Sequence, residues 1–237
     1  MTEGIVDMKQ LKITLLVLLS LITALAFSLP KTITIGLDNT NAPPYFYHGA
    51  NKILGTNIRK IESAFSQLGI KVKWKLLSTK KFAAALEKGK VDFVYPANPK
   101  SITLKKNKAL YFSTPVQTTN YAFFQVNNNE KIAKSKNPKV GIMNYAKLDD
   151  KINLNKKDYS NSKKILEDLQ KQKIDIALVN VNVSNYLIQH ILSKKIPISK
   201  NEQLPTITTR YELATSKHKP LLQKLDKALK AARGNQA

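Results

Sequence analysis

The feature that most constrains the fold is a short frame that occurs twice, each time where a helical pattern runs into a buried strand. Leu86-Glu-Lys-Gly-Lys-Val-Asp92 and Leu169-Gln-Lys-Gln-Lys-Ile-Asp175 share the pattern Leu-x-Lys-x-Lys-(Val/Ile)-Asp. Two interpretations stay open: a chance match between short strings, or two α/β lobes of similar construction. Two lobes that face each other across the carboxyl ends of their strands form a cleft, the usual setting for a small-molecule site.

Strand and helix patterns alternate around both frames, which predicts α/β layers with right-handed crossovers. In Ile70–Leu76, the apolar residues Ile70, Val72, Trp74 and Leu76 alternate with lysine, as in an edge strand with one solvated face. We predict strands at Thr32–Leu37, Ile70–Leu76, Val91–Tyr95, Lys139–Met143, Ile174–Val179 and Tyr211–Ser216, and helices at Leu54–Leu68, Thr79–Gly89, Ser162–Lys171, Val183–Leu192 and Pro220–Ala232.

The first 26 residues have the composition of a secretory signal peptide. Lys9 and Lys12 precede a short uncharged apolar run, and Ala24-Leu-Ala26 closes it with the small-x-small pattern that a signal peptidase cuts. The alternative is a membrane anchor, but the run is shorter than the roughly 20 apolar residues of a spanning helix. No cysteine follows for lipid attachment. We therefore expect a freely diffusing periplasmic protein after cleavage of residues 1–26.

The formal net charge of +23 comes almost wholly from lysine, since only Arg59, Arg210 and Arg233 are arginine. Specific nucleic-acid sites favour arginine for its bidentate contacts, so we expect no specific nucleic-acid partner. Three interpretations of the charge stay open: a solvated lysine-rich surface, an anionic ligand, or adhesion to an anionic membrane or wall. The chain has no cysteine, so thiol chemistry and cysteine metal sites are excluded.

The order of motifs between Lys31 and Ala232 resembles the family 3 extracellular solute-binding proteins, the polar amino-acid receptors of ABC importers. Each motif is weak alone, but their order and spacing are specific. They are Gly36-Leu-Asp38, Pro43-Pro-Tyr45, the first frame, Tyr111-Phe-Ser-x-Pro115, Lys173-Ile-Asp-Ile-Ala-Leu-Val179, and Glu212-Leu-Ala with the terminal amphipathic helix.

The resemblance implies an α/β, two-lobed periplasmic binding protein-like fold of type II, with a mixed sheet flanked by helices in each lobe. One lobe would comprise residues 31–117 plus 206–237, and the other residues 122–200. Hinge segments would lie near 118–123 and 203–208. The protein would be a monomer that takes a small polar or anionic solute and presents it to an inner-membrane ABC permease.

The chain departs from the family pattern where the family binds its ligand. Lys106 stands in place of the arginine that grips an α-carboxylate, and Asn180 in place of the aspartate that takes the α-ammonium. The resemblance and the positions of strand ends together predict these ligand-binding residues: Asp38, Tyr45, Tyr95, Asn98, Ser101, Thr103, Lys106, Asn144, Tyr145, Asn180 and Asn182. Alternatives stay open for several of them, such as an Asx turn at Asp38 and a core role for Tyr45.

We expect neither a metal nor another cofactor, because His48, His190 and His218 show no metal-ligand spacing. The sequence has no nucleophile-elbow or phosphate-loop motif, and we expect no enzyme. Two alternatives remain open: a periplasmic enzyme on the same scaffold, similar to cyclohexadienyl dehydratases, and a basic polyanion-binding surface protein with a vestigial cleft. Asp92 and Asp175 are predicted to be structural.

Overall fold

The computed structural model describes residues 29–50, 52–99, 102–105, 108–126, 137–143, 155–192 and 196–234. Residues 32–237 form one compact unit, to which the following description refers. The predicted signal peptide lies outside the described residues. Within them, no helix has the length and apolarity needed to span a membrane.

The described residues form twelve strands and five α-helices. The strands are β1 (Thr32–Asp38), β2 (Tyr47–His48), β3 (Ile53–Leu54), β4 (Lys71–Leu77), β5 (Phe93–Ala97), β6 (Tyr111–Phe112), β7 (Gln117–Val126), β8 (Lys139–Met143), β9 (Asn155–Tyr159), β10 (Ile176–Asn180), β11 (Ile198–Lys200) and β12 (Ile207–Thr215). The helices are α1 (Thr56–Ser66), α2 (Phe82–Glu87), which follows a 3-10 turn at Thr79–Lys81, α3 (Ser162–Gln170), α4 (Val181–His190) and α5 (Lys219–Gly234).

A mixed sheet runs through the unit in the order β4-β1-β5-β12-β7-β10-β8-β9, with β6 paired to β12 and β11 to β7. One end, β4-β1-β5, is parallel, and so is the other end, β10-β8-β9. The two parallel groups are joined by the antiparallel strands β12 and β7. This mixed sheet with its helices confirms the predicted two-lobed α/β fold class.

Strands β7 and β12 connect the two parallel groups because each of them pairs on both sides. They pair with each other from Ile207↔Tyr121 to Tyr211↔Gln117. Further along, β7 pairs with β10, and β12 pairs with β5. These paired segments overlap the predicted hinge segments at residues 118–121 and 207–208. The hinge function and the exact lobe bounds stay predictions.

The repeated frame has the same role at both of its positions. Asp92 accepts a hydrogen bond from Thr34 N at 2.8 Å through Oδ2, and its own N–H donates to Thr34 O at 2.8 Å. Asp175 does the same with Lys139, at 2.7 Å for the carboxylate and 2.9 Å for the amide. Each aspartate therefore joins the residue before one strand to the first half of the neighbouring strand, as predicted for a structural residue.

Helical amphipathicity explains where the helices pack. Helix α1 buries Ile58, Ile61 and Phe65 at helical spacing, and Phe65 meets Phe93 of β5 edge to face. Helix α3 likewise buries Ile165, Leu166 and Leu169 against the other half of the sheet. The helices thus cover the buried strands, which read as apolar runs because both of their faces are covered.

Strand β4 is the end strand in the order of the sheet, as the alternating lysines predict. One detail of that prediction is wrong, because Leu76 is 46% exposed, whereas Val72 and Trp74 on the same predicted face are half-buried. The neighbouring Leu77 packs against the core cluster that contains Phe82. The alternation therefore breaks at the end of the strand, where the chain turns into the 3-10 segment.

Candidate functional site

A narrow pocket lies where the loop before β2 approaches the two connecting strands and the starts of α3 and α4. The residues around it are aromatic, aliphatic, amide or hydroxyl in character: Ala42, Tyr45, Phe46, Pro96, Gln117, Tyr121, Ser162, Asn180, Val183 and Tyr211. Its cavity volume of about 20 Å³ has room for roughly one water molecule. A larger ligand requires its walls to separate.

Tyr45 closes one side of the pocket by bonding to groups that are distant in sequence. Its hydroxyl accepts a hydrogen bond from Nδ2 of Asn182 at 2.6 Å. The same hydroxyl lies 3.4 Å from Oγ1 of Thr119 on β7. Tyr45 was predicted to form a cleft wall, and its half-buried ring lines the pocket. These contacts join the loop before β2 to the start of α4.

Asn180 lines the pocket, but both ends of its amide are used within the protein. Its Oδ1 accepts from Val183 N at 3.1 Å, which caps the N-terminus of α4. Its Nδ2 donates to Oγ1 of Thr119 at 2.8 Å. The side chain is buried and neutral. Asn180 therefore presents no free charge to the pocket in this arrangement.

A buried amide network lies behind the pocket. Nδ2 of Asn57 donates to Oε1 of Gln117 at 2.5 Å and to the hydroxyl of Tyr95 at 2.6 Å. Tyr95 is fully buried, and this burial raises its pKa above the ordinary tyrosine value, against the opposing hydrogen bond from Asn57. Tyr95 packs edge to face on Phe46. Tyr95 was predicted to be a ligand-binding residue. It lies behind the wall of the pocket and is not among the residues that line it.

Other predicted residues lie away from the described lining of the pocket. Asp38 is buried at the end of β1, where Oδ2 accepts from the hydroxyl of Thr40 at 2.8 Å and Oδ1 from its N–H at 3.4 Å. Burial raises the pKa of Asp38, and the hydrogen bonds from Thr40 oppose that shift. This geometry is the Asx turn that was the alternative interpretation.

The remaining predicted positions divide into two groups. Asn98 is half-buried just after β5, and Thr103 is exposed; neither belongs to the described lining. The others lie outside the described residues, and their role stays a prediction: Ser101, Lys106, Asn144 and Tyr145.

Sequence reasoning missed four polar residues that line the pocket: Gln117, Tyr121, Ser162 and Tyr211. The hydroxyls of Tyr121 and Tyr211 are 2.5 Å apart, across the β7–β12 pair. For Gln117, Tyr121 and Tyr211, only a position within the predicted hinge or near it could have indicated them. Ser162 lies at the start of α3, away from both hinge segments. Which connecting residues point to the pocket depends on the β7–β12 register, which no local pattern contains.

The described residues contain no group of three or more histidine, aspartate or glutamate side chains arranged to hold a metal ion. The chemistry that the pocket offers is hydrogen bonding from amides and hydroxyls, together with aromatic contact. Sites of this composition select ligands by a few placed polar groups within an apolar wall.

Comparison with known proteins gives a family match over most of the chain. The model of the bacterial extracellular solute-binding proteins, family 3, matches residues 33–237. A search of curated protein sequences finds no match.

Solved structures share the fold at low sequence identity. An ancestral arginine-binding protein bound to glutamine is 22% identical with a TM-score of 0.68, over 88% of this chain and 94% of that one. An arginine transport-system periplasmic binding protein from Legionella pneumophila is 18% identical, with a TM-score of 0.69 over 86% and 94%. The GluR0 ligand-binding core in complex with L-glutamate is 13% identical, with a TM-score of 0.71 over 86% and 93%. These likenesses concern the fold.

Proposed function

Because the chain belongs to the bacterial extracellular solute-binding proteins, family 3, we propose that it captures a small polar solute of the amino-acid type and delivers it to an ABC permease in the inner membrane. The observation that carries this proposal is the pocket at the β7–β12 junction, whose walls come from both parallel groups of strands and the segments attached to them. We propose binding without turnover, by a monomer.

The arrangement of strands supports a mechanism of lobe closure. We assign one lobe to residues 31–117 plus 206–237 and the other to 122–200, with hinges near 118–123 and 203–208. Tyr45 belongs to the first lobe and Asn182 to the second, so their hydrogen bond is a contact of the closed state. A ligand stabilises closure only by the extra affinity that it has for the closed form.

The amino-terminal sequence supports export. We propose that residues 1–26 are a cleaved signal peptide and that the mature protein works in the periplasm, as the family's extracellular role requires. Expression in a bacterial host tests this directly. We expect the periplasmic fraction to contain a chain that begins at Phe27, and a mass that retains residues 1–26 would contradict cleavage.

A thermal shift assay on protein stripped of ligand by unfolding and refolding tests the binding function. The panel contains L-arginine, L-glutamine and L-glutamate with other amino acids, organic acids and sugars. A ligand at 100 times its Kd adds about 2.7 kcal/mol of stability. For a protein of this size we expect the melting temperature to rise by about 5–10 °C. If no compound raises it, the binding function is wrong. A panel compound that is chemically converted would contradict binding without turnover.

Asn180 provides a sharper test of the ligand class. In the family pattern an aspartate at this position takes the α-ammonium group, and Asn180 cannot supply that charge. We expect Asn180→Asp to bind α-amino acids more tightly than the wild type. Asn185→Asp is the matched control, since Asn185 is an exposed residue on α4, the helix that Asn180 caps. Equal changes in both variants would indicate a general electrostatic effect and refute an α-ammonium subsite at this position.

A further inference from the structure

We propose that Gln117 is a ligand-binding residue whose Nε2 donates a hydrogen bond to a carbonyl or carboxylate oxygen of the solute. The inference rests on the proposed function, because it assumes that the pocket is the site that binds the solute. It adds a specific anchor on β7 and a required chemical feature of the ligand.

The first observation is that Gln117 has one free end. Its side chain is 9% exposed and lines the pocket, yet Nε2 has no hydrogen-bond partner among the described residues. Buried polar groups in native proteins are nearly always paired, because a buried donor without an acceptor is costly. An unpaired donor on a residue that lines the pocket, with no acceptor among the described residues, therefore points to a bound ligand as its partner.

The second observation is that the orientation of the amide is determined by its surroundings. Oε1 of Gln117 accepts from Nδ2 of Asn57 at 2.5 Å. The hydroxyl of Tyr95 lies 3.5 Å from the same oxygen. Because Oε1 is held by donors behind the pocket, Nε2 is the end that remains for a ligand. The amide is thus oriented before the ligand binds, which reduces the loss of conformational entropy on binding.

The third observation is the position of Gln117 in the sheet. It is the first residue of β7 and pairs with Tyr211 of β12, which also lines the pocket. A donor on a paired strand is held more rigidly than one on a loop. The acceptor that fits is an oxygen with a free lone pair, as in an amide or a carboxylate.

Binding calorimetry with L-glutamine as the probe tests this assignment. Gln117→Met keeps the length of the side chain but removes the donor. Gln117→Glu keeps an oxygen for Asn57 and replaces Nε2 with a second oxygen. We expect both variants to bind about 3- to 10-fold more weakly, as for the loss of one neutral hydrogen bond. Gln125→Met is the matched control, because Gln125 is on the same strand and accepts from Asn201 instead.

The control should bind L-glutamine within about twofold of the wild type, since its contact is remote from the pocket. The unliganded Gln117→Met protein should melt within a few degrees of the wild type. Asn57 loses one of its two acceptors, but the variant also removes the buried, unpaired Nε2. Wild-type affinity in both Gln117 variants would overturn the assignment. An equal loss in Gln125→Met would overturn it as well.

A second measurement separates this inference from the proposed function. The side-chain amide signal of Gln117 is identified in nitrogen–proton NMR spectra by its absence from Gln117→Met. Formamide and formate, the smallest amide and carboxylate probes, are then added at high millimolar concentration. We expect either formamide or formate to shift the Gln117 amide signal and to leave the Gln125 signal unchanged. The probe that causes the shift shows whether the acceptor is an amide or a carboxylate oxygen. No shift with either probe, or equal shifts of both signals, would overturn the assignment even if an amino acid binds. If no amino acid binds but the signal shifts, the amino-acid function fails and the anchor stands.

Discussion

Replacing Gln172 with glycine should stabilise the protein, because this residue holds a left-handed backbone conformation with φ of 54°. In the repeated frame it stands where the first copy has Gly89, whose φ is 63°. The hydrogen bonds agree: Gly89 N donates to Leu86 O at 3.1 Å, and Gln172 N donates to Leu169 O at 3.0 Å. Both residues end a helix in the conformation that glycine adopts without strain.

The magnitude follows from two opposing effects. A residue with a Cβ in the left-handed region costs about 1–2 kcal/mol. Glycine lowers the free energy of unfolding by about 0.5–1 kcal/mol, because it gives the unfolded chain more conformational freedom. We therefore expect Gln172→Gly to raise the free energy of unfolding by about 0.5–1 kcal/mol, as the difference of these effects. The melting temperature should rise by about 1–4 °C.

Urea unfolding followed by circular dichroism measures the effect. Gln172→Ala is the control that keeps the Cβ, and it should show no such gain. Gly89→Gln should lose about as much as Gln172→Gly gains, because the added Cβ meets only Nζ of Lys217, at 2.8 Å, the movable end of an exposed side chain. The reasoning is refuted if Gln172→Gly is no more stable than the wild type, or if Gln172→Ala gains equally.

Three further predictions concern the carboxamide and carboxylate contacts. Asp168 is almost fully buried; burial opposes its ionisation, but hydrogen bonds, one of them from Tyr159, lower its pKa to about 2. The stability that ionised Asp168 gives the fold should be complete above the ordinary aspartate pKa and be lost as the pH falls through about 2. The urea midpoints of the wild type and Asp168→Asn should therefore converge in acid. A difference that stays constant with pH would contradict this. Asn161 caps α3 through bonds to two backbone N–H groups, and Asn161→Ala should lower the free energy of unfolding by about 1 kcal/mol in the same assay; an unchanged midpoint would exclude the cap. Tyr45→Phe removes the bond to Asn182, and we expect a larger radius of gyration by small-angle X-ray scattering of the unliganded protein; an unchanged radius would show that this bond does not maintain closure.

Local patterns predicted most elements because helix and strand periods are properties of neighbouring residues. The predicted strand Val91–Tyr95 lies two residues later, at Phe93–Ala97, because Asp92 joins the preceding chain to Thr34. The burial predicted for Leu76 was wrong, since the alternation continues in sequence beyond the point where the strand leaves the core.

The candidate site could be predicted only in part. Tyr45 and Asn180 were found because each follows a recognisable motif, and both line the pocket. Gln117 was missed because its importance comes from Asn57, which lies 60 residues away. Such a contact has no local signal, since loop closure and core packing decide it.

The sequence by itself determined the kind of most elements, the repeated frame and the neutral residue at Asn180. Tertiary structure alone decided that β12 lies between β5 and β7, which brings Gln117 and Tyr211 to one pocket. It also decided that Asn182 meets Tyr45 across 137 residues. The physical reason is that periodicity records which face of an element is buried, whereas the register between distant strands depends on the packing of the whole unit.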